Sequence, residues 1–116
     1  MKQTYKVKDR TELKEIISKA KDDENLNYLD VSNVIDMNGL FYNSKFNGDI
    51  SNWNVSKVKH MRGMFEKSSF NGDISNWDIS RALYTMQIGY NTWSDSINKT
   101  PKEIINNLYL NMDYKI

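Results

Sequence analysis

Apolar residues recur along this chain with one fixed period. Two segments, FNGDISNWNVS at 46–56 and FNGDISNWDIS at 70–80, are identical at nine of their eleven positions. The two segments begin 24 residues apart, at Phe46 and Phe70, and this offset is the period of the chain. One period earlier the match is weaker, but Leu29 occupies the position that corresponds to Trp53. Self-similarity at a fixed period is the signature of a repeat architecture, and here it predicts three units, at about 22–45, 46–69 and 70–93.

Within each unit, the apolar spacing changes from that of a strand to that of a helix. In the second unit, Ile50, Trp53 and Val55 follow an Asn-Gly-Asp turn signal, which predicts a short strand. The apolar residues at 58, 61, 64 and 65 have the spacing of one or two helical turns. We therefore predict parallel strands near 27–31, 51–55 and 75–79. Their inward side chains should stack from unit to unit into one continuous core.

The N-terminal segment has the pattern of a helix that follows a short strand. Asp9 and Glu12 have the spacing of a capping box, and the apolar residues after them share one helical face. These signals predict a helix at about 10–21 and a strand around Thr4–Val7.

The C-terminal segment has helix signals of its own. Thr100 and Pro101 suit the first positions of a helix, which we place at about 101–113. Repeat arrays need shielded ends, so both terminal helices are interpreted as caps. We predict one domain with an N-terminal strand-helix cap, three repeats and a C-terminal helical cap, at 1–21, 22–93 and 94–116.

A strand and a short helix in every period fall in the range of leucine-rich repeats. The pattern thus predicts an α/β fold, a short right-handed leucine-rich-repeat-like solenoid of about three turns with helical caps at both ends. The repeat also resembles the mycoplasma-lipoprotein-type repeat of the BspA-like leucine-rich-repeat family, which is roughly FNxDISxWDVSxVxxMxxMF. This chain follows that pattern from Phe46 to Phe65, with Asn54 in place of the Asp. That resemblance covers about 10–93. It implies a bacterial cell-surface protein that binds host or matrix proteins.

Composition narrows the functional classes further. The 116 residues carry a net charge of only +1, which argues against a strongly basic nucleic-acid binder. There is no Cys, so thiol catalysis, disulfides and thiolate metal sites are excluded. The chain has one His and no nucleophile, phosphate-loop or metal-binding motif. We therefore expect a protein that is not an enzyme and that holds no cofactor or metal.

The repeated polar and aromatic residues could form a ligand site, but a structural role is the simpler interpretation. Asn47 and Asn71 are expected to form an amide ladder that satisfies turn backbone groups. Asp49 and Asp73 are too few for a calcium-binding solenoid. Trp53 and Trp77 occupy the repeat position that holds the apolar Leu29 in the first unit. They are therefore predicted to be buried, rather than exposed as platforms on which a carbohydrate or a base could stack.

The function predicted from these patterns is that of a non-catalytic protein-protein interaction module. Side chains at outward strand positions should form a polar strip that binds the partner and that can be changed without loss of folding: Tyr28, Asp30, Asn52, Asn54, Asn76 and Asp78. An alternative binding face is the basic cluster of Lys57, Lys59, His60 and Arg62. We expect a protein partner and no small-molecule substrate. Alternative functions are a phage- or mobile-element-encoded inhibitor of a host enzyme, a cell-surface adhesion module, or a nucleic-acid binder that uses the basic cluster.

The cellular location is predicted from two features that the sequence does not show, a secretory signal and a membrane-spanning helix. The N-terminal residues MKQTYKVKDR are charged and include no apolar segment typical of a secretory signal. No stretch approaches the roughly 18 apolar residues of a membrane-spanning helix. These features predict a cytoplasmic protein without a membrane span, whereas the family resemblance alone favours the cell surface.

Overall fold

The computed structural model of the chain describes residues 4–85, with side chains described through residue 82. Its elements are the strand β1 (Tyr5–Lys6), the helix α1 (Arg10–Lys19), the strand β2 (Leu29–Asp30) and the helix α2 (Ser80–Thr85). The predicted C-terminal cap at 94–116, with its helix at 101–113, lies outside the described residues, and so does the end of the third unit. We refer to residues 22–45 as unit 1, 46–69 as unit 2 and 70–85 as the described part of unit 3.

The N-terminal segment forms the predicted strand and helix. β1 pairs in parallel with β2, with Tyr5 opposite Leu29. α1 begins after Asp9, whose carboxylate accepts a hydrogen bond from the N–H of Glu12 at 3.0 Å. The helix buries Leu13 and ends at Lys19, slightly before its predicted end.

Units 1 and 2 lie side by side in parallel, joined by their backbones. Four alternate N–H groups of unit 1 donate to carbonyl oxygens of unit 2 at distances of 2.7 to 2.9 Å. Each acceptor lies 23 residues after its donor, which is one residue less than the period. The donor and acceptor pairs are Met37 with His60, Gly39 with Arg62, Phe41 with Met64, and Asn43 with Glu66. Isolated parallel bridges also pair Asn25 with Asp49 and Asp36 with His60, which are one full period apart. The sequence period is therefore the register of the backbone pairing.

Turns replace most of the predicted strands. Of the strand predicted near 27–31 only β2 forms, and the prediction of strands at 51–55 and 75–79 is wrong. In these two segments, the N–H of Trp53 donates to the carbonyl of Ile50 at 3.2 Å, and the N–H of Trp77 donates to that of Ile74 at 3.1 Å. A hydrogen bond to the third preceding residue closes a tight turn.

The helical turns predicted at 58–65 are also a series of tight turns. Leu40 and Met64 each bond the carbonyl three residues before them, and the preceding Gly39 and Gly63 both have a φ of 60°. A positive φ at the third position of a turn suits glycine, which has no Cβ to clash. Because residues i and i+3 meet in such turns as well as in helices, the apolar spacing did not distinguish the two. The equal φ values show that the turn geometry repeats with the sequence period.

The core consists of stacked side chains from successive units, as predicted. Ile50 and Ile74, Trp53 and Trp77, and Val55 and Ile79 are all buried. Aromatic rings from units 2 and 3 surround Phe41 of unit 1, which stacks on Phe65 at 5.5 Å between ring centroids. Stacked aromatic pairs stabilise a core beyond the area that they bury.

Candidate functional site

A short polar motif, Asp or Asn followed two residues later by Ser, marks the same turn in each unit. In unit 1, Oδ1 of Asp30 accepts hydrogen bonds from the N–H of Ser32 at 3.0 Å and from its hydroxyl at 2.6 Å. The same pair of bonds joins Asn54 with Ser56 and Asp78 with Ser80. Side chains that bond the backbone two residues on fix the turn that contains them.

These bonds stabilise the charged form of the carboxylates. The hydroxyl and N–H of Ser32 lower the pKa of Asp30, with smaller contributions from the nearby ammonium groups of Lys6 and Lys57. Ser80 lowers the pKa of Asp78 in the same way, and Arg81 adds to the effect. Hydrogen bonds to a carboxylate favour ionisation because they are stronger to the charged form. The serine bonds therefore favour the ionised form of both Asp30 and Asp78.

Most of the predicted polar strip is exposed, but one of its two columns also has a structural role. Asn52 and Asn76 are exposed at the same turn position, whereas Tyr28 in unit 1 is half-buried and packs against the core. The other column contains Asp30, Asn54 and Asp78. Its side chains hold the turns, so the prediction that the strip can be changed without loss of folding does not extend to this column.

The alternative basic face lies beside the polar strip. Lys57, Lys59 and His60 are exposed, and Arg62 is half-buried. Within residues 4–85 the one ion pair joins Lys19 and Glu15, so none of the cations of the basic face forms a salt bridge in that part of the chain. The charge of Lys57 makes a small contribution to the lowered pKa of Asp30.

An exposed isoleucine next to the basic face was not predicted. Ile35 is 51% exposed, and its carbonyl accepts a hydrogen bond from the N–H of Lys59 at 2.7 Å. The two residues are one period apart and belong to adjacent units. A comparison of corresponding positions would have shown an apolar residue where unit 2 has a lysine.

Asparagine side chains link adjacent units, as the sequence predicted for one pair. Oδ1 of Asn47 accepts from the N–H of Asn71 at 2.7 Å, which confirms the amide ladder. Two further links were not predicted. Oδ1 of Asn38 accepts from the N–H of Arg62 at 2.7 Å, and that of the buried Asn27 accepts from the N–H of Asn52 at 2.9 Å. These asparagines are structural, because each satisfies a backbone donor of the next unit.

The two tryptophans of the repeat are structural as well. The indole N–H of Trp53 donates to the carbonyl of Leu26 at 2.9 Å, and that of Trp77 donates to the carbonyl of Ile50 at 3.1 Å. Both rings are almost fully buried. The prediction that they form core rather than a ligand platform is confirmed.

An open groove of about 490 Å³ lies between β1 and the outer face of α1. Its lining mixes both charges, and the Tyr5 hydroxyl donates to the Glu12 carboxylate, which lowers the pKa of Glu12. The lining residues are Tyr5, Lys8, Asp9, Thr11, Glu12, Glu15, Ile16 and Lys19. No group in this lining was predicted to bind a ligand or partner.

Metal-binding clusters and membrane-spanning helices are both absent from the described part of the chain. Between residues 4 and 85, no cluster of three or more His, Asp or Glu side chains has the arrangement of a metal site. None of the helices in that range has the length and apolar character required to cross a membrane.

Comparison with known proteins identifies a family. The profile of a family described as "Mycoplasma protein of unknown function, DUF285" matches residues 5–103, which is most of the chain. The protein therefore belongs to this family, and its repeat is of a mycoplasma type. No curated protein and no solved structure matches the chain.

Proposed function

We propose that this DUF285 protein is a non-catalytic protein-binding module, built as a short right-handed solenoid of the BspA-like leucine-rich-repeat type. The backbone pairing of units 1 and 2 in a register of one period supports the solenoid, since repeat proteins stack each unit on its neighbour. The proposed binding surface is the polar strip defined above.

The observation that carries the proposal is the repeated turn around Asp30, Asn54 and Asp78. Each turn is fixed by two hydrogen bonds from a serine. From unit to unit, the bonds from the serine N–H measure 3.0, 3.1 and 3.1 Å, and those from its hydroxyl 2.6, 2.7 and 2.7 Å. The exposed Asn52 and Asn76 precede the last two of these turns by two residues. A surface that is already ordered loses little conformational entropy when it binds a partner.

The chemistry of the strip favours a protein partner over a small molecule. Its exposed groups are amides and carboxylates on a series of turns, with Tyr28 half-buried at one end. Small ligands need concave, largely apolar pockets, whereas protein interfaces combine hydrogen-bonding groups with an aromatic anchor.

A second candidate is a nucleic-acid contact through the basic face. The observation in its favour is that Lys57, Lys59 and Arg62 form no salt bridge in the part of the chain that the structure describes. Phosphate contacts would make binding fall steeply with salt concentration. The near-neutral net charge of +1 makes this candidate the weaker one.

The test compares one variant for each face. Asn52→Arg/Asn76→Arg places two bulky cations at exposed positions of the polar strip and leaves unchanged the side chains of Asp30, Asn54 and Asp78, which accept the serine hydrogen bonds. Lys59→Ser/His60→Ser is the matched change on the basic face. Each purified chain is immobilised and exposed to an extract of the organism that encodes it. A protein captured by the wild type is then purified, and its dissociation constant is measured for all three chains.

We expect the strip variant to lose most of the affinity and the basic-face variant to retain it, with unchanged thermal unfolding in both. Loss confined to the basic-face variant, or equal affinity of all three chains, would show that the strip is not the binding surface. A salt-dependent shift of a labelled DNA or RNA oligonucleotide would favour the second candidate. The identity of the captured protein separates adhesion from enzyme inhibition.

A further inference from the structure

The side chain of Ile35 is exposed where units 1 and 2 meet. It is the most exposed large apolar residue between residues 4 and 85, and its carbonyl accepts hydrogen bonds from the N–H groups of Lys59 at 2.7 Å and His60 at 3.4 Å. Ile35 and Lys59 hold the same repeat position in two units whose backbones pair. Because stacked units place corresponding residues next to each other, the two exposed side chains are neighbours.

Cations are exposed on the same part of the surface. Lys57 and Lys59 are exposed on either side of the buried Val58. Arg81 is exposed one period after Lys57, and each of these two residues directly follows the serine of a turn-forming pair. None of the three cations forms a salt bridge in the part of the chain that the structure describes. Their charge is therefore available to a partner.

Two carboxylates lie near these cations, and both already accept hydrogen bonds from their own turns. Asp36 is half-buried, and its Oδ1 accepts from the N–H of Asn38 at 2.8 Å. Asp30 is half-buried too, and its Oδ1 accepts both bonds from Ser32. The three exposed cations outnumber these two carboxylates, so the surface around Ile35 is positive.

We infer that the basic face, together with Ile35 and Arg81, binds an acidic segment of a protein that also carries an apolar side chain. Carboxylates of such a segment complement the cations, and complementary charges select the partner and speed its association. Its apolar side chain covers Ile35, and the burial of apolar surface adds affinity. The inference does not rest on the polar strip, which is a different set of residues.

The exposed isoleucine favours a protein segment over a nucleic acid. Single-stranded nucleic acids stack their bases on aromatic rings, and an aliphatic side chain offers no such platform. The exposed aromatic residues between 4 and 85 are Tyr5 and Tyr42. Tyr5 bonds Glu12 of α1, and Tyr42 lies under the ammonium group of Lys67, so neither belongs to the basic face.

The test selects ligands for the full-length chain from a library of short random peptides displayed on phage, at physiological salt concentration. The dissociation constant of each enriched peptide is then measured for wild type and for the face variant Ile35→Ser/Lys59→Ser. The matched control is Tyr42→Ser/Lys45→Ser, which also removes one exposed aromatic or aliphatic side chain and one exposed cation. Thermal unfolding of each chain is recorded first. If the face variant is destabilised, Ile35→Ser and Lys59→Ser are measured separately.

We expect the enriched peptides to carry Asp or Glu on both sides of an apolar residue. They should bind the face variant about tenfold more weakly than wild type and bind the control as wild type. Replacing the apolar residue of the peptide by serine should weaken binding to wild type but not to Ile35→Ser, because these two side chains contact each other.

Two results would overturn the inference. One is an enriched set without acidic peptides, or with acidic peptides that bind the face variant and the control equally well. The other is a single-stranded DNA oligonucleotide that binds more tightly than the peptides and binds wild type and Ile35→Ser equally well, which would make a nucleic acid the occupant of the basic face.

Discussion

The rings of Trp53 and Trp77 lie stacked, with centroids 6.2 Å apart and planes 7° from parallel. The residues are one period apart, and each indole N–H donates to a carbonyl 27 residues before it. One side chain thus fills the core and also satisfies a backbone acceptor of the preceding unit. This double role explains why the position carries tryptophan in both complete copies of the repeat motif.

Removing either tryptophan should strongly destabilise the protein. Trp53→Ala is expected to lower the free energy of unfolding by roughly 3 to 5 kcal/mol, the range for emptying a buried aromatic site. Trp53→Phe fills much of the space but removes one of two hydrogen bonds to the carbonyl of Leu26, which keeps the bond from the N–H of Leu29, so we expect a loss of about 1 kcal/mol. Urea titration of the three chains measures both differences. Equal stability of the phenylalanine variant and the wild type would show that the indole hydrogen bond contributes nothing.

Substitutions in the turn-forming column of the polar strip, at Asp30, Asn54 and Asp78, should destabilise the protein. Substitutions at Asn52 and Asn76, in the other column, should not. Asn54→Ala removes the acceptor for both bonds from Ser56, so we expect a loss of about 1 kcal/mol. Asn54→Asp keeps the acceptor, as Asp78 does in the next unit, and should be close to wild type. Asn52→Ala is the exposed control, expected within about 0.5 kcal/mol of wild type. Thermal unfolding of all three variants checks this, and equal losses at both asparagines would contradict it.

The register of one period, the buried ladders and the N-terminal cap could be predicted from the sequence, because they depend on periodicity and on the capping signal at Asp9. The strand assignments could not. Trp53 and Val55 have the two-residue spacing of a strand, but both side chains are also buried when a turn closes between Ile50 and Trp53. The spacing of apolar residues predicts which side chains face the core, but it does not determine the backbone conformation between them.

Acid should destabilise the protein through its turn carboxylates. Hydrogen bonds from serine lower the pKa of four aspartates: Asp30, Asp49, Asp73 and Asp78. A carboxylate whose pKa is lower in the folded state than its unfolded value of about 3.9 stabilises the fold fully above that value, and the contribution is lost as the pH falls through the folded pKa. We therefore expect the free energy of unfolding to fall steadily below about pH 4.

A substitution at one of these carboxylates separates this effect from general acid denaturation. Asp49→Asn keeps an oxygen that can accept from Ser51 but removes the titrating group. Its free energy of unfolding should depend less steeply on pH in the acidic range than that of the wild type. An identical slope for the two chains would mean that the Asp49 bonds do not contribute to the pH dependence.

Two glycines of the repeat should respond to alanine for different reasons. Gly39 has a φ of 60°, and an added Cβ would make only ordinary van der Waals contacts, the nearest at 3.8 Å from Cβ of Tyr42, so Gly39→Ala should cost about 1 to 2 kcal/mol for the left-handed backbone alone. At Gly48, an added Cβ would lie 1.9 Å from the carbonyl oxygen of Glu24. Gly48→Ala must therefore displace the backbone between units and should be the more damaging change. Chemical denaturation ranks the two, and the reverse order would contradict the close approach at Gly48.

The candidate site was only partly visible in the sequence. Outward positions such as Asn52 and Asn76 followed from the alternation of apolar and polar residues, and both are exposed. The turn-forming role of Asp30 was missed, although an aspartate two residues before a serine is a known turn signal. The hydrogen bond from Nζ of Lys14 in α1 to the carbonyl of Leu40, at 2.9 Å, left no sequence signal, because it depends on the path of the helix over unit 1.

Parallel stacking of the units in a register of one period aligns the polar strip. Nuclear Overhauser contacts in the isotope-labelled full chain test this arrangement. We expect contacts between the indoles of Trp53 and Trp77 and between the backbone amide proton of Asn71 and the side chain of Asn47. An antiparallel arrangement of 46–53 and 70–77 would instead bring Phe46 next to Trp77 and separate Asn47 from Asn71. That result would contradict both the proposed solenoid and the binding surface built on it.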